Sequence, residues 1–262
     1  GIKILDSSGA RINSISNTAA FGNIVGSNAI NKTFVEGSTI YVGARGGGLY
    51  KSTDSGKSFV QLGLNRHYFN DLVKVGSKIF AATSGELYIS SDNGNTFNPQ
   101  LNITELYNVL RVFHSNSILY FATYDGLIIS KDDGTTFNKF KTVTDLSGPN
   151  TILDIYVDNG TIYTANRNSG GLSISKDGGS TFIRKTKADG LGSDDVNCVY
   201  ASGNTIYAGT ADGLSISTDG GKTFINKSTA NSKLPSNSVS KIAVSGSTLY
   251  ISFEYGRSLA LS

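Results

Sequence analysis

Tryptophan and methionine are absent from the 262 residues, cysteine occurs once and proline three times. The lone Cys198 excludes an intrachain disulfide and any cysteine-rich zinc site. It does not fix the compartment, because many surface and periplasmic proteins carry no disulfide. No run of 18 apolar residues exists, which excludes a membrane-spanning helix. Charged residues reach only 16%, without a long block of one sign, so a disordered charged chain is excluded. The 23 basic and 20 acidic residues leave a net charge of +3, too even to imply nucleic acid. His67 and His114 stand apart, with no H-E-x-x-H spacing, so no metal is expected. The glycine runs Gly46–Gly48 and Gly170–Gly171 open no helix and do not read as phosphate loops, and no cofactor is expected. The chain begins at Gly1 rather than Met, which points to a trimmed or processed form. Any signal peptide or lipid anchor is expected outside these residues.

Glycine is abundant, at 31 residues, and 38% of the chain is hydrophobic, enough to bury a core. Self-similarity dominates. Five segments share S-x-D-x-G-x-[ST]-F: Ser52–Phe59, Ser90–Phe97, Ser130–Phe137, Ser175–Phe182 and Ser217–Phe224. Their aspartates are Asp54, Asp92, Asp132, Asp177 and Asp219, spaced by 38, 40, 45 and 42 residues. The mean of about 41 fits a four-stranded propeller blade.

The rest of each unit reads as strands. Before every box runs a short segment such as Gly171-Leu-Ser-Ile-Ser175, and before that another such as Thr161-Ile-Tyr-Thr-Ala165. Short β-branched and aromatic runs between Gly, Asn and Ser turns are strands. No segment sustains a 3.6-residue period. Each unit is therefore strand a, turn, strand b, loop, strand c, box, strand d. Repeated radially, such sheets make a six-bladed β-propeller, all-β and antiparallel. Blades are expected near 17–62, 63–101, 102–142, 143–187, 188–229, and 230–262 plus 1–16. The last unit stops at strand c, so residues 1–16 are expected to close the ring as the outer strand of the sixth blade. A seventh, partial blade is the alternative. Gly1 to Ile12 also aligns with Gly213 to Phe224 as a boxless c–d hairpin.

These boxes resemble the Asp-box (bacterial neuraminidase repeat) propellers, over nearly the whole chain. That family has Trp where this chain has Phe in all five boxes. The box itself reads as a structural staple: the carboxylate accepts turn N–H groups and glycine supplies a positive φ. The resemblance implies a bacterial secreted, periplasmic or cell-surface setting.

Two regions are expected to meet a ligand. Aligning the units sets one position of strand a in a column: Lys32, Asp71, Arg111, Asp154, Cys198 and Lys241. In a propeller strand a lines the channel, so the charged members form a polar ring able to hold an ion or polar ligand, or to satisfy itself as ion pairs. The b–c and d–a loops share one face. They bring Arg45, Tyr124, Arg167, Glu254, Tyr255 and Arg257, and Arg66, His67, Tyr68, Tyr107 and Lys187. Aromatics beside cations suit a glycan, an anion or a protein.

The resemblance also raises catalysis. A sialidase needs three arginines on the substrate carboxylate, a Tyr nucleophile with its Glu, and an Asp acid/base. The chain has seven Arg and four Glu, and Arg11-Ile-Asn does not match the family's Arg-Ile-Pro signature. Asp71 and Asp154, two blades apart on the inner ring, are a carboxylate pair that could serve a glycosidase, as in the Asp-box xyloglucanases, whose two-propeller layout this chain lacks. The expected function is a non-catalytic binding or scaffolding module, monomeric, with a glycan or protein partner. A glycoside hydrolase, or an assembly factor like the photosystem II assembly propellers, is the alternative. Cys198 reads as a buried, inert thiol. Asn31, Asn102 and Asn226 match the glycosylation pattern.

Overall fold

The computed structural model describes residues 2–5, 11–15, 30–65, 68–100, 108–140, 150–254 and 258–261, with strands 2–5, 11–15 and 258–261 described by their backbone alone. The chain divides into two compact units, Gly1–Val112 and Phe113–Ser262.

In the first unit β1 (Ile2–Leu5) pairs with β2 (Arg11–Ile15). A four-stranded sheet follows in chain order: β3 (Ile30–Glu36), β4 (Thr39–Ala44), β5 (Gly48–Ser52) and β6 (Val60–Gln61). The next comprises β7 (Phe69–Val75), β8 (Lys78–Thr83), β9 (Leu87–Ser90) and β10 (Asn98–Pro99). Strand β11 (Val109–Ser115) runs into the second unit and heads the third sheet, with β12 (Ile118–Thr123), β13 (Gly126–Ser130) and β14 (Asn138–Phe140). The fourth sheet is β15 (Ile152–Asp158), β16 (Thr161–Asn166), β17 (Gly171–Ser175) and β18 (Ile183–Lys185). The fifth is β19 (Val196–Ser202), β20 (Thr205–Thr210), β21 (Gly213–Ser217) and β22 (Ile225–Lys227). The sixth has three strands, β23 (Val239–Ser245), β24 (Thr248–Phe253) and β25 (Ser258–Leu261). The first two strands of each sheet meet in two-residue turns whose first residue is left-handed, as at Gly76 (φ 58) and Asn116 (φ 50), the twist that tight hairpins need.

Packing follows the repeat. The strand-b aromatics Tyr41, Phe80, Tyr120 and Tyr163 are buried. Within the units they pack on the first strand of the following sheet: Tyr163 joins Val199 and Ala201, and Tyr120 joins Ile155 and Val157. Burying each such ring contributes roughly 1.5–3 kcal/mol. The box phenylalanines join the same layers. Phe224 packs with Tyr163 and Ile174 of the preceding sheet. Phe137 meets Phe121 edge-on, ring centres 5.6 Å apart.

At the start of the first unit β1 and β2 pair with each other. Their register is that of a c–d hairpin: Ile2↔Ile15, Lys3↔Ser14 and Ile4↔Asn13 repeat Leu214↔Lys227, Ser215↔Asn226 and Ile216↔Ile225. The third place in the sixth sheet goes to β25, one residue out of step. Ser252↔Ser258 stands where the fourth and fifth sheets have Ala165↔Leu172 and Gly209↔Leu214.

Candidate functional site

The five boxes are built alike. In the first, the Ser52 hydroxyl donates to Asp54 Oδ1 at 2.7 Å and accepts the Gly56 N–H at 2.8 Å. The Ser58 N–H donates to Asp54 Oδ1 at 2.9 Å and its hydroxyl to Oδ2 at 2.6 Å. Asp92, Asp132, Asp177 and Asp219 repeat the bonds from the residue four positions on. Each carboxylate thus accepts donors from its own turn, which supports the staple reading.

The same donors hold the box carboxyls below their ordinary range. The hydroxyls of Thr136 and Thr181, then their N–H groups, put Asp132 and Asp177 at about 2. Asp54 and Asp219 are lowered first by the hydroxyls of Ser58 and Thr223, and Asp92 first by the Thr96 N–H. A carboxyl depressed on folding stabilises above its unfolded value, and that stability is lost as protons enter the folded group. The melting temperature is therefore expected to fall between pH 3.8 and about 2 from this source. Asp177→Asn should lower it at pH 7 by roughly 2–4 °C and flatten the acid limb. A thermal titration whose loss sits wholly above pH 5 would contradict the staple.

The column lies on the first strands. In the first unit Lys32 Nζ is 2.7 Å from Asp71 Oδ1, and the Asp71 side chain is 4% exposed. Asp71 also accepts the N–H of Leu72 at 2.9 Å and of Val112 at 3.1 Å. One carboxylate thereby ties β3, β7 and β11 together. In the second unit Lys241 Nζ is 3.2 Å from Asp154 Oδ1, and the Val199 N–H donates to Asp154 Oδ2 at 3.4 Å. That carboxylate joins β15, β19 and β23. Arg111 donates to the Leu110 carbonyl at 2.9 Å. Cys198 is buried.

A set of asparagines goes unnoticed in the sequence reading. Register shifts in β3, β7, β15, β19 and β23 fall immediately before the column residue. Such bulges re-aim the side chain of the extra residue. The bulge residues Asn31, Asn70 and Asn197 donate to carbonyls on the next sheet's first strand, at Phe69 (2.7 Å), Val109 (2.8 Å) and Val239 (2.9 Å). Asn recurring just ahead of the column was the available signal. Two sequon asparagines are engaged this way: Asn31 in the clamp, and Asn226, which donates to the Asp212 carbonyl at 2.8 Å. Glycosylation would remove those bonds. Asn102 lies outside the described residues.

The loop face is held from beneath. Fourth-strand side chains clasp the b–c loop of their own sheet: Gln61 donates to the Gly47 carbonyl at 3.0 Å, Arg184 to the Gly170 carbonyl at 3.2 Å, and Lys139 pairs with Asp125 at 2.8 Å. In the first unit the Arg45 guanidinium stands 5.0 Å from the centre of the Tyr68 ring, which is 55% exposed. Tyr68 and Ser84 exchange bonds: the Tyr68 N–H donates to the Ser84 hydroxyl, and the Ser84 N–H to the Tyr68 carbonyl. In the second unit Thr151 links two loops. Its hydroxyl donates to the Tyr124 carbonyl at 3.1 Å, and its carbonyl accepts the Arg167 N–H at 3.0 Å. Tyr124 is 49% exposed. Arg167 and Lys187 are exposed as well. Arg66, His67, Tyr107, Tyr255 and Arg257 lie outside the described residues. Among the described residues no cluster of His, Cys, Asp or Glu could hold a metal, and no helix is long and apolar enough to cross a membrane.

No family model matches the chain, and no curated protein matches it. Solved structures do. An ancestral GH74 enzyme superposes with a TM-score of 0.70 at 17% identity, over 85% of this chain and 34% of that one. The extracellular domain of BT4673 from B. thetaiotaomicron gives 0.61 at 12% identity, over 87% and 38%. The chain thus spans little more than a third of either protein. YCF48 bound to D1 peptide gives 0.51 at 15% identity, over 88% of this chain and 92% of that one. These likenesses show the fold alone. It is a β-propeller, and the six sheets are its blades.

Proposed function

We propose that this chain is a non-catalytic binding module of the Asp-box type that takes a glycan or protein partner on the face bearing its b–c and d–a loops. The arrangement of charge carries this reading. On that face Asp125, Asp194, Asp195 and Asp212 of the second unit are already ion-paired or hydrogen-bonded within the protein. Asp125 pairs with Lys139, Asp194 and Asp195 accept the N–H groups of Lys187 and Ser169, and Asp212 accepts from Asn237. Glu254 is exposed, but Arg167 and Lys187 stand outward with Tyr124. The column offers less to a ligand, because Lys32 and Lys241 each hold a carboxylate already.

Catalysis has weaker support. Asp71 and Asp154 are each occupied by a lysine and by backbone N–H groups. Burial raises Tyr41, Tyr50, Tyr120 and Tyr163, and pushes Tyr156 up to about 12, the opposite of an activated nucleophile. The extracellular setting of the BT4673 domain supports placing this module at the cell surface, in the periplasm or outside the cell.

The reading is tested with the purified chain on a glycan array and in a partner capture experiment. Arg167→Ala and Tyr68→Ala are expected to weaken whatever binds by tenfold or more, while Asp177→Asn leaves affinity unchanged. Hydrolysis of an array glycan that Asp71→Asn abolishes would favour the glycosidase alternative. Loss of binding with Lys241→Met, but not with Arg167→Ala, would move the site to the column.

A further inference from the structure

Cysteine and methionine are the side chains that oxidation usually reaches first. Here methionine is absent, as is tryptophan, and the single Cys198 is buried. Tyrosine, by contrast, occurs 13 times. Three tyrosines form a row within the second unit. Tyr156 on β15 and Tyr200 on β19 take the same place on adjacent first strands, each two residues beyond the column. Their ring centres are 4.7 Å apart with the planes tilted by 48°, at the short end of the range for aromatic pairs. Tyr207 on β20 follows, 6.5 Å from Tyr200, and Phe113 flanks Tyr156 at 5.3 Å. All four rings are half-buried. Burial, and then the Tyr200 hydroxyl beside it, pushes the Tyr156 phenol up to about 12. Packing does not ask for these hydroxyls, because the same place on the other first strands holds Phe34, Val73, Phe113 and Ala243.

We propose that Tyr156 and Tyr200 are a site of oxidative cross-linking, a dityrosine staple between the fourth and fifth sheets. Each phenol gives one electron to a one-electron oxidant, such as the ferryl haem of a peroxidase or a photo-excited metal complex, and its hydroxyl proton to water. The two phenoxyl radicals join through the ring carbons beside their oxygens. The hydrogen on each joined carbon then moves to the oxygen, which restores both phenols. The balance is one new carbon–carbon bond, two electrons taken by two equivalents of oxidant, and two protons released. The link closes a loop of about 44 residues in a chain whose one cysteine forms no disulfide. The exposed rings of Tyr68, Tyr124 and Tyr250 have no tyrosine in ring contact among the described residues. Radicals formed there can couple only between molecules, which dilution suppresses.

The test illuminates the dilute full chain with tris-bipyridyl ruthenium and persulfate. Products are read by dityrosine fluorescence, a denaturing gel and peptide mass mapping. The expected product runs as a monomer, has lost two hydrogens, and yields one linked peptide pair that contains Tyr156 and Tyr200. Chain unfolded in denaturant and oxidised in the same way should give at least tenfold less of that pair. Tyr156→Phe and Tyr200→Phe keep the ring packing and should each abolish the link, while Tyr207→Phe retains it. The linked chain should melt roughly 5–10 °C above the untreated one, because the cross-link restricts the unfolded state. The proposal is overturned if no dityrosine forms, if it forms only between molecules, or if the linked peptides carry other tyrosines. A monomeric cross-link that survives in Tyr156→Phe, or a linked chain that melts no higher, would overturn it as well.

Discussion

Replacing Asp71 by Ala should lower folding stability by about 2–3 kcal/mol. Breaking a buried ion pair costs about 3–5 kcal/mol when the partner charge stays buried. Lys32 keeps 35% of its side chain in solvent, so part of that loss is recovered by hydration. What is not recovered is the buried N–H of Val112, which loses the carboxylate oxygen 3.1 Å away. Denaturant unfolding should show a lower midpoint with an unchanged slope. Asp71→Asn keeps the shape and one acceptor and should lose less. Combining Asp71→Ala with Lys32→Met should cost less than the two changes summed, because each single change strands the other partner. A midpoint unmoved by Asp71→Ala would mean that the carboxylate does not tie the three strands.

Gly43→Ala should be nearly as damaging, though it adds one methyl group. Gly43 pairs with Lys32 across β3 and β4, and a Cβ there would overlap the Phe69 ring. Phe69 is completely buried and cannot swing away. Overpacking of this kind costs about 1–3 kcal/mol. The expected fall in melting temperature is roughly 4–10 °C. Phe69→Leu should restore part of it in the double variant, which a backbone effect at Gly43 would not allow. Gly209 stands in the same place opposite Cys198, where a Cβ would strike the Cys198 sulfur and lie 2.6 Å from Val239 Cγ1. The second and fourth sheets carry Ala82 and Ala165 there. The position stays small because the next sheet's first strand leans over it.

Much of this was legible without coordinates. Strands alternate with a period of two, tight turns need residues that accept a positive φ, and a box repeated five times reports its unit directly. Those are local properties, so the sheets and their order followed from the chain. The column was legible as well, since equivalent positions in equivalent units take equivalent places. The asparagine clamps were not. They depend on a bulge that turns Asn31, Asn70 and Asn197 toward the neighbouring sheet, and a bulge leaves no unambiguous mark in one strand's sequence. The hairpin register of residues 1–15 was visible in the alignment with 213–224.

Composition and periodicity, on their own, settled that the chain is all-β and repeated, with an aspartate at five of its c–d turns. They did so because hydrogen bonds within a turn and alternation along a strand involve residues close in the chain. Which lysine meets which aspartate depended on first strands far apart in the chain coming side by side. Those choices rest on packing across sheets, and only the folded arrangement fixes them.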